Sequence, residues 1–142
     1  MMNKNLLIVG FFILAMFLNG CIVVLDEETR GPGRPGTHLP DDTIAEIDAV
    51  GKLSFDSDRE QGYKRIAARE GLSAEAQVHL VAAVYRQLSF ENAKEDVLLA
   101  LINNPSFCAA AERAILEDLD KLSFENSKKR VLQAISEQKN RS

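Results

Sequence analysis

The side chains able to do chemistry in this chain are few and scattered. Its two histidines are His38 and His79. His38 lies in a Gly- and Pro-rich stretch, where no rigid element holds a base in fixed geometry. His79 falls within a helical pattern, with Glu75 one turn earlier and able to pair with it. Together they offer two ligands where zinc requires three or four. Glu117, Asp118 and Asp120 form a small acidic cluster, but a calcium loop alternates its oxygens along a turn that contains glycine. A solvated helix end is the plainer reading. Gly31-Pro32-Gly33-Arg34-Pro35-Gly36 lacks the Gly-Lys-Ser/Thr and the helix start of a phosphate loop. Cys108, inside Phe107-Cys108-Ala109-Ala110-Ala111, reads as a small buried thiol. No catalytic set, metal site or cofactor is expected.

The elements are far better specified than the chemistry. Lys52-Leu53-Ser54-Phe55, Gln87-Leu88-Ser89-Phe90 and Lys121-Leu122-Ser123-Phe124 recur at intervals of 35 and 34 residues. Self-similarity at this period marks a helical repeat array, whose units bury their apolar faces only by stacking. The alignment runs on through an acid (Asp56, Glu91, Glu125), then Ser57, Asn92 or Asn126, and two positions later a base (Arg59, Lys94, Lys128). Gly62, Val97 and Val131 correspond next, followed by Tyr63, Leu98 and Leu132, and then by Ile66, Leu101 and Ile135. The expected fold is all-α, a short right-handed-type stack of about six helices over residues 41–138, with a frayed tail at 139–142.

Apolar spacing and end signals delimit those helices. Ile44, Ile47 and Val50 mark the first, closed by Gly51, and Asp41-Asp42-Thr43 supplies its start. Ser57-Asp58-Arg59-Glu60 fits a capping box for the second, which is expected to end at Gly71. Ser73 caps the third, with Val78, Val81, Ala82 and Tyr85 as its face. Asn92 opens the fourth, which stops at Asn103-Asn104-Pro105-Ser106 because proline cannot donate to a continuing ladder. Phe107, Ala111, Ile115 and Leu119 mark the fifth; Val131, Leu132 and Ile135 mark the sixth, starting near Asn126. Leu53, Phe55, Leu88, Phe90, Leu122 and Phe124 are expected to anchor the helix corners in the core. The polar residue after each acid is expected to accept from free N–H groups at the next helix start. Truncating a buried Phe costs about 3–5 kcal/mol, so on this reading Phe90→Ala is more damaging than Phe124→Ala.

Ahead of the stack, residues 1–21 read as an export signal, with Lys4 leading an apolar stretch from Leu6 to Leu18. Leu18-Asn19-Gly20-Cys21 resembles a bacterial lipobox, which implies cleavage before Cys21 and a diacylglycerol on its thiol. The alternative is an uncleaved anchor: Leu6 to Leu25 is broken only by Asn19, and about 20 apolar residues span a bilayer. Lys4 favours a cytoplasmic N-terminus, so both readings place residues 26–142 outside the cytoplasm beside a membrane. Ile22 after the cysteine resembles outer-membrane sorting in enteric bacteria, whereas Asp26-Glu27-Glu28 resembles a surface-export cue. Residues 22–40 form a Gly/Pro tether; about 20 residues reach ~65 Å when fully stretched.

Cleavage would remove Lys4 and no acid, leaving a net charge of −5 against −4 for the whole chain. With no tryptophan and no basic stripe, such a domain is a poor partner for nucleic acid, whose affinity rests on Lys and Arg. With Cys21 lipidated, Cys108 has no partner for an intrachain disulfide.

Ser54-Phe55-Asp56-Ser57 with Arg59, Ser89-Phe90-Glu91-Asn92 with Lys94, and Ser123-Phe124-Glu125-Asn126 with Lys128 carry a wider likeness. With the turn Leu72-Ser73-Ala74-Glu75-Ala76-Gln77-Val78, residues 53–135 resemble a family of helical-repeat domains of unknown function found in bacterial envelope proteins and some animal proteins. Leu98, Leu99 and Leu101 stand where that family often places aromatics. The resemblance implies no reaction. Three functional readings follow: a lipid-anchored module binding another envelope protein, an inhibitor or immunity-like lipoprotein occluding one enzyme, and a small envelope enzyme, for which the sequence offers almost no titratable cluster.

Overall fold

Among the described residues the apolar periodicity resolves into six α-helices and one short 3₁₀ turn. The structure, a computed structural model, describes residues 40–141. The export signal, Cys21 and His38 lie outside the described residues, as does the expected tether up to Pro40. Helix α1 is Pro40–Gly51, α2 Asp56–Ala67, α3 Ala74–Gln87, α4 Glu91–Ile102, α5 Ala109–Glu117 and α6 Glu125–Arg141, with the 3₁₀ turn Leu119–Lys121 before α6. Among the described residues there is no strand, and no helix is long and apolar enough to cross a membrane.

The helices form two layers. α2, α4 and α6 pack side by side in one, and α1, α3 and α5 in the other. The chain therefore folds as three stacked hairpins, α1/α2, α3/α4 and α5/α6, each with one Leu-Ser-Phe at its tip. All three tips fall on one edge of the stack and the connecting turns on the other. Tyr63, Ile66, Leu80, Leu98, Leu101, Ile102, Ile115 and Leu122 are fully buried between the layers. On α3 the core face is Leu80, Val81, Val84 and Tyr85. The expected Val78 and Ala82 face outward instead, because two neighbouring layers select a different arc of the helix from the one their spacing suggests.

Several ends differ from their sequence signals. α2 begins at Asp56 with Phe55 as its N-cap, so Ser57 lies inside the helix and its capping box does not form. The same holds for α4, whose N-cap is Phe90 ahead of Asn92, and neither cap makes a side-chain bond. Ser73 is the helix cap that behaves as expected: its hydroxyl accepts from the Ala76 amide at 3.1 Å. α2 stops at Ala67, before Gly71, whose φ of 72° serves the turn into α3. α6 runs on to Arg141 where a frayed end was expected. Lys139 pairs there with Glu112 of α5, within the same hairpin, and Arg141 donates to Asn103 at 3.0 Å, fastening the last turn to the preceding hairpin.

The turn edge is tied by two buried amides. The Asn104 amide donates to the carbonyls of Ala67 and Arg69 at 2.7 and 2.6 Å, satisfying the end of α2. Gln77 donates to Leu72 and Ser106 carbonyls and accepts from the Cys108 amide at 3.1 Å. Buried polar groups are retained when fully paired in this way. Cys108 itself is only partly buried and serves as the N-cap of α5.

Between α1 and α2 the backbones come close at Gly62: a Cβ there would stand 2.7 Å from a Val50 methyl. The next two hairpins place Val97 and Val131 at this position and keep both buried. Gly62→Val, despite matching its repeats, is predicted to destabilise the stack by about 1–3 kcal/mol through overpacking. A fall in the urea midpoint with unchanged slope is the expected result.

Candidate functional site

At each tip the chain leaves one helix, runs extended through Leu-Ser-Phe and enters the next. Residues two apart in an extended backbone share a side, so alternation alone would give the leucine and the phenylalanine one environment; Phe55 and Phe90, however, are the N-caps at which the chain turns into the next helix. The structure gives the leucines to the core and the phenylalanines to solvent. Leu88 and Leu122 are 3% and 0% exposed, whereas Phe55, Phe90 and Phe124 are 69%, 63% and 64% exposed. The expectation that the phenylalanines anchor the corners is thus overturned, and with it the ranking of Phe90→Ala above Phe124→Ala. Leu53 departs too, at 41% exposed; its hairpin is the first among the described residues.

What fixes the tips is polar. The Asp56 carboxylate accepts from the backbone amides of Ser89 and Phe90 on the next tip, at 3.0 Å each to Oδ2. Glu91 repeats the arrangement, accepting from the Phe124 amide at 3.0 Å. The acids following Phe55 and Phe90 therefore serve the next hairpin, and neither Ser57 nor Asn92 is the cap of its helix. Arg59 reinforces the first step by donating from Nη1 to the Gln87 carbonyl at 2.7 Å and from Nη2 to the Ser54 carbonyl at 3.3 Å. Charge-assisted bonds of this kind contribute about 1.5–3 kcal/mol each. They hold the backbone of each tip while leaving the aromatic rings unsupported by neighbours.

The result is a row of three exposed rings separated by two shallow notches. One, of about 450 Å³, lies between Phe55 and Phe90 and is lined also by Asp56, Ser57, Glu60, Asn92 and Ala93. The other, of about 420 Å³, lies between Phe90 and Phe124, with Glu91, Asn92, Lys94, Glu95, Ser127 and Arg130 among its walls. Glu95, buried beneath it, pairs with Arg130, whose Nη2 donates at 2.6 Å. The Arg130 guanidinium holds the Glu95 carboxyl below its ordinary value of 4.5, with a lesser contribution from the Ser127 hydroxyl, against the opposing pull of burial.

The other candidate residues do not join this row. His79 meets Asp48 of α1 at 2.8 Å, not Glu75. Among the described residues no three His, Cys, Asp or Glu side chains gather closely enough to hold a metal ion. Asp118 pairs with Lys121 at 2.9 Å, an ordinary exposed helix-end contact. An all-α stack of three hairpins with an aromatic edge is the class the fold and this row define. No family model, no curated protein and no solved structure matches the chain.

Two outcomes follow from the partition at the tips. Phe90→Ala is expected to change stability by less than about 0.5 kcal/mol, as at an ordinary surface position, whereas Leu122→Ala should cost about 2–5 kcal/mol; urea midpoints separate them. The Glu95 bond stabilises the fold above the carboxyl's unfolded value near 4.5 and is lost as pH falls through its lower folded value. Glu95→Gln should therefore lower the thermal midpoint at pH 7 and flatten its decline below pH 4.5, with solvent around the half-exposed Arg130 keeping the effect modest.

Proposed function

We propose that the chain is a membrane-tethered lipoprotein of the cell envelope, anchored through Cys21, whose helical stack is a non-enzymatic protein-binding module. The row Phe55, Phe90 and Phe124 is its binding edge. The observation that carries this reading is the equal exposure of the three rings, including Phe90, which has a hairpin on each side. Fully burying a Phe side chain gains about 1.5–3 kcal/mol, and the stack forgoes that gain three times at equivalent positions. Single exposed apolar residues are ordinary on protein surfaces, but an aligned set rimmed by polar groups marks an interaction site. Aromatic rings are also the side chains that dominate protein interfaces.

The lipobox-like Leu18-Asn19-Gly20-Cys21 supports the tether. A mature lipoprotein carries several acyl chains, enough for stable anchoring. The net charge of −5 on the cleaved chain disfavours adsorption to anionic headgroups, so the stack would stand off the bilayer on residues 22–39 with its tips free. The likeness of the three tip motifs to envelope helical-repeat domains agrees with this setting and adds no reaction to it.

The test is affinity capture from crosslinked envelopes with the native chain, a Cys21→Ser chain and a Phe55→Ser/Phe90→Ser/Phe124→Ser chain. A stoichiometric partner should appear with the native chain, weaken with Cys21→Ser and vanish with the triple substitution, while the triple variant keeps its thermal midpoint. Capture of that partner undiminished by the triple substitution would remove the aromatic row from the function.

A further inference from the structure

A stack built from one repeated interface ends in two unlike half-interfaces, and among the described residues both of them are open. The first half lies on the α1/α2 hairpin. Leu53 is 41% exposed where its counterparts Leu88 and Leu122 are covered. Among the described residues, no carboxylate meets the Ser54 and Phe55 amides as Asp56 meets Ser89 and Phe90, and as Glu91 meets Phe124. The second half lies on the α5/α6 hairpin. Leu132 is 43% exposed, although its counterparts Tyr63 and Leu98 are fully buried by the hairpin that follows them. Leu116 is 40% exposed, and the residue at its place on α3, counted from the helix starts, is the fully buried Val81.

The third carboxylate completes the match. Glu125 occupies the place of Asp56 and Glu91, but among the described residues it meets no further tip, and it turns back to Lys128 at 3.0 Å with its side chain 75% exposed. The phenylalanines are equally exposed in all three hairpins, so their exposure belongs to the motif. The exposure of Leu53, Leu132 and Leu116 belongs to the ends alone.

We infer that the last hairpin of one copy receives the first hairpin of a second copy, repeating the interface that already joins the hairpins within a chain. Glu125 then accepts from the Ser54 and Phe55 amides of the second copy, and the Leu132 and Leu116 face is covered by its α1/α2 hairpin. The charges permit this register. Lys129 stands where Glu95 stands one hairpin earlier, and Gln61 stands where Arg130 stands, so the Glu95–Arg130 contact becomes Lys129 opposite the neutral Gln61. Asp58, exposed on the first hairpin where Ala93 and Ser127 are buried, brings an acid towards Lys129. Joining two identical last hairpins instead would set Glu125 against Glu125 and leave Leu53 bare. A head-to-tail contact does not close on itself, so copies continue into a chain that extends the phenylalanine row.

The experiment uses the full chain in intact producing cells, with Gln61→Cys and Lys129→Cys together and a short bis-maleimide crosslinker. A parent with neither substitution controls for Cys21 and Cys108. The expected result is a ladder at two, three and more multiples of the chain mass, which neither single substitution gives. Adding Leu132→Lys should abolish the ladder; Leu132 is exposed within a single chain, so the helical melting curve should not move. Three results overturn the inference: monomer only, a dimer formed by one cysteine alone (a symmetric contact), or products whose masses are not multiples of the chain, which would show a different protein on the open end.

Discussion

A carboxylate on one hairpin tip accepting the backbone amides of the next tip is the interaction on which the rest of this architecture depends. Asp56 does this for Ser89 and Phe90, and Glu91 does it for Phe124. The step sets the register between hairpins, because a carboxylate on so short a side chain reaches only the tip directly alongside. It also satisfies amides that the extended Leu-Ser-Phe segment would otherwise leave without partners. With the backbone held, Leu88 and Leu122 enter the core while the phenylalanine at each helix entry stays in solvent. The aromatic row thus rides on a backbone held by polar contacts at the tips.

The opposite edge is built on the same economy of paired polar groups. Gln77 and Asn104 sit among apolar neighbours, and each meets backbone groups of a neighbouring turn. Together the two edges clamp each hairpin at its tip and at its turn, while Leu80, Leu98, Leu101 and Ile115 fill the space between. Ion pairs such as Arg69 with Glu46 and Lys64 with Asp96 lie nearer the surface, where such contacts contribute little singly.

Much of this fold is legible in the chain because its signals are periodic. Recurrence of Leu-Ser-Phe at 35 and 34 residues gives the repeat, and the alternation of apolar stripes gives the helices in order. The tips mislead for a specific reason. Leu and Phe are both strong core formers, and a spacing of two along an extended segment would put them on one side, so neither identity nor spacing shows that the helix entry parts them. A polar residue after an acid looks like a helix cap, yet Ser57 and Asn92 cap nothing, because Asp56 and Glu91 reach across to the next hairpin. That role is written in the sequence only as an invariant acid following each phenylalanine, a regularity whose acceptor function becomes visible once the tips are seen side by side. The amide roles of Gln77 and Asn104 carry no periodic signal at all, since each occurs once. Helical spacing sets Glu75 beside His79 on its own helix, whereas its partner Asp48 comes from thirty-one positions earlier through the packing of α1 on α3.

The most direct measurement is hydrogen exchange at the tip amides, compared between the native chain and Asp56→Ala at concentrations low enough to keep copies apart. The Phe90 and Ser89 amides should exchange slowly in the native chain and accelerate in Asp56→Ala, while Phe124, served by Glu91, stays slow in both. Fast exchange at Phe90 in the native chain, or an unchanged rate in Asp56→Ala, would contradict the carboxylate step as the device that sets the hairpins and presents the aromatic row.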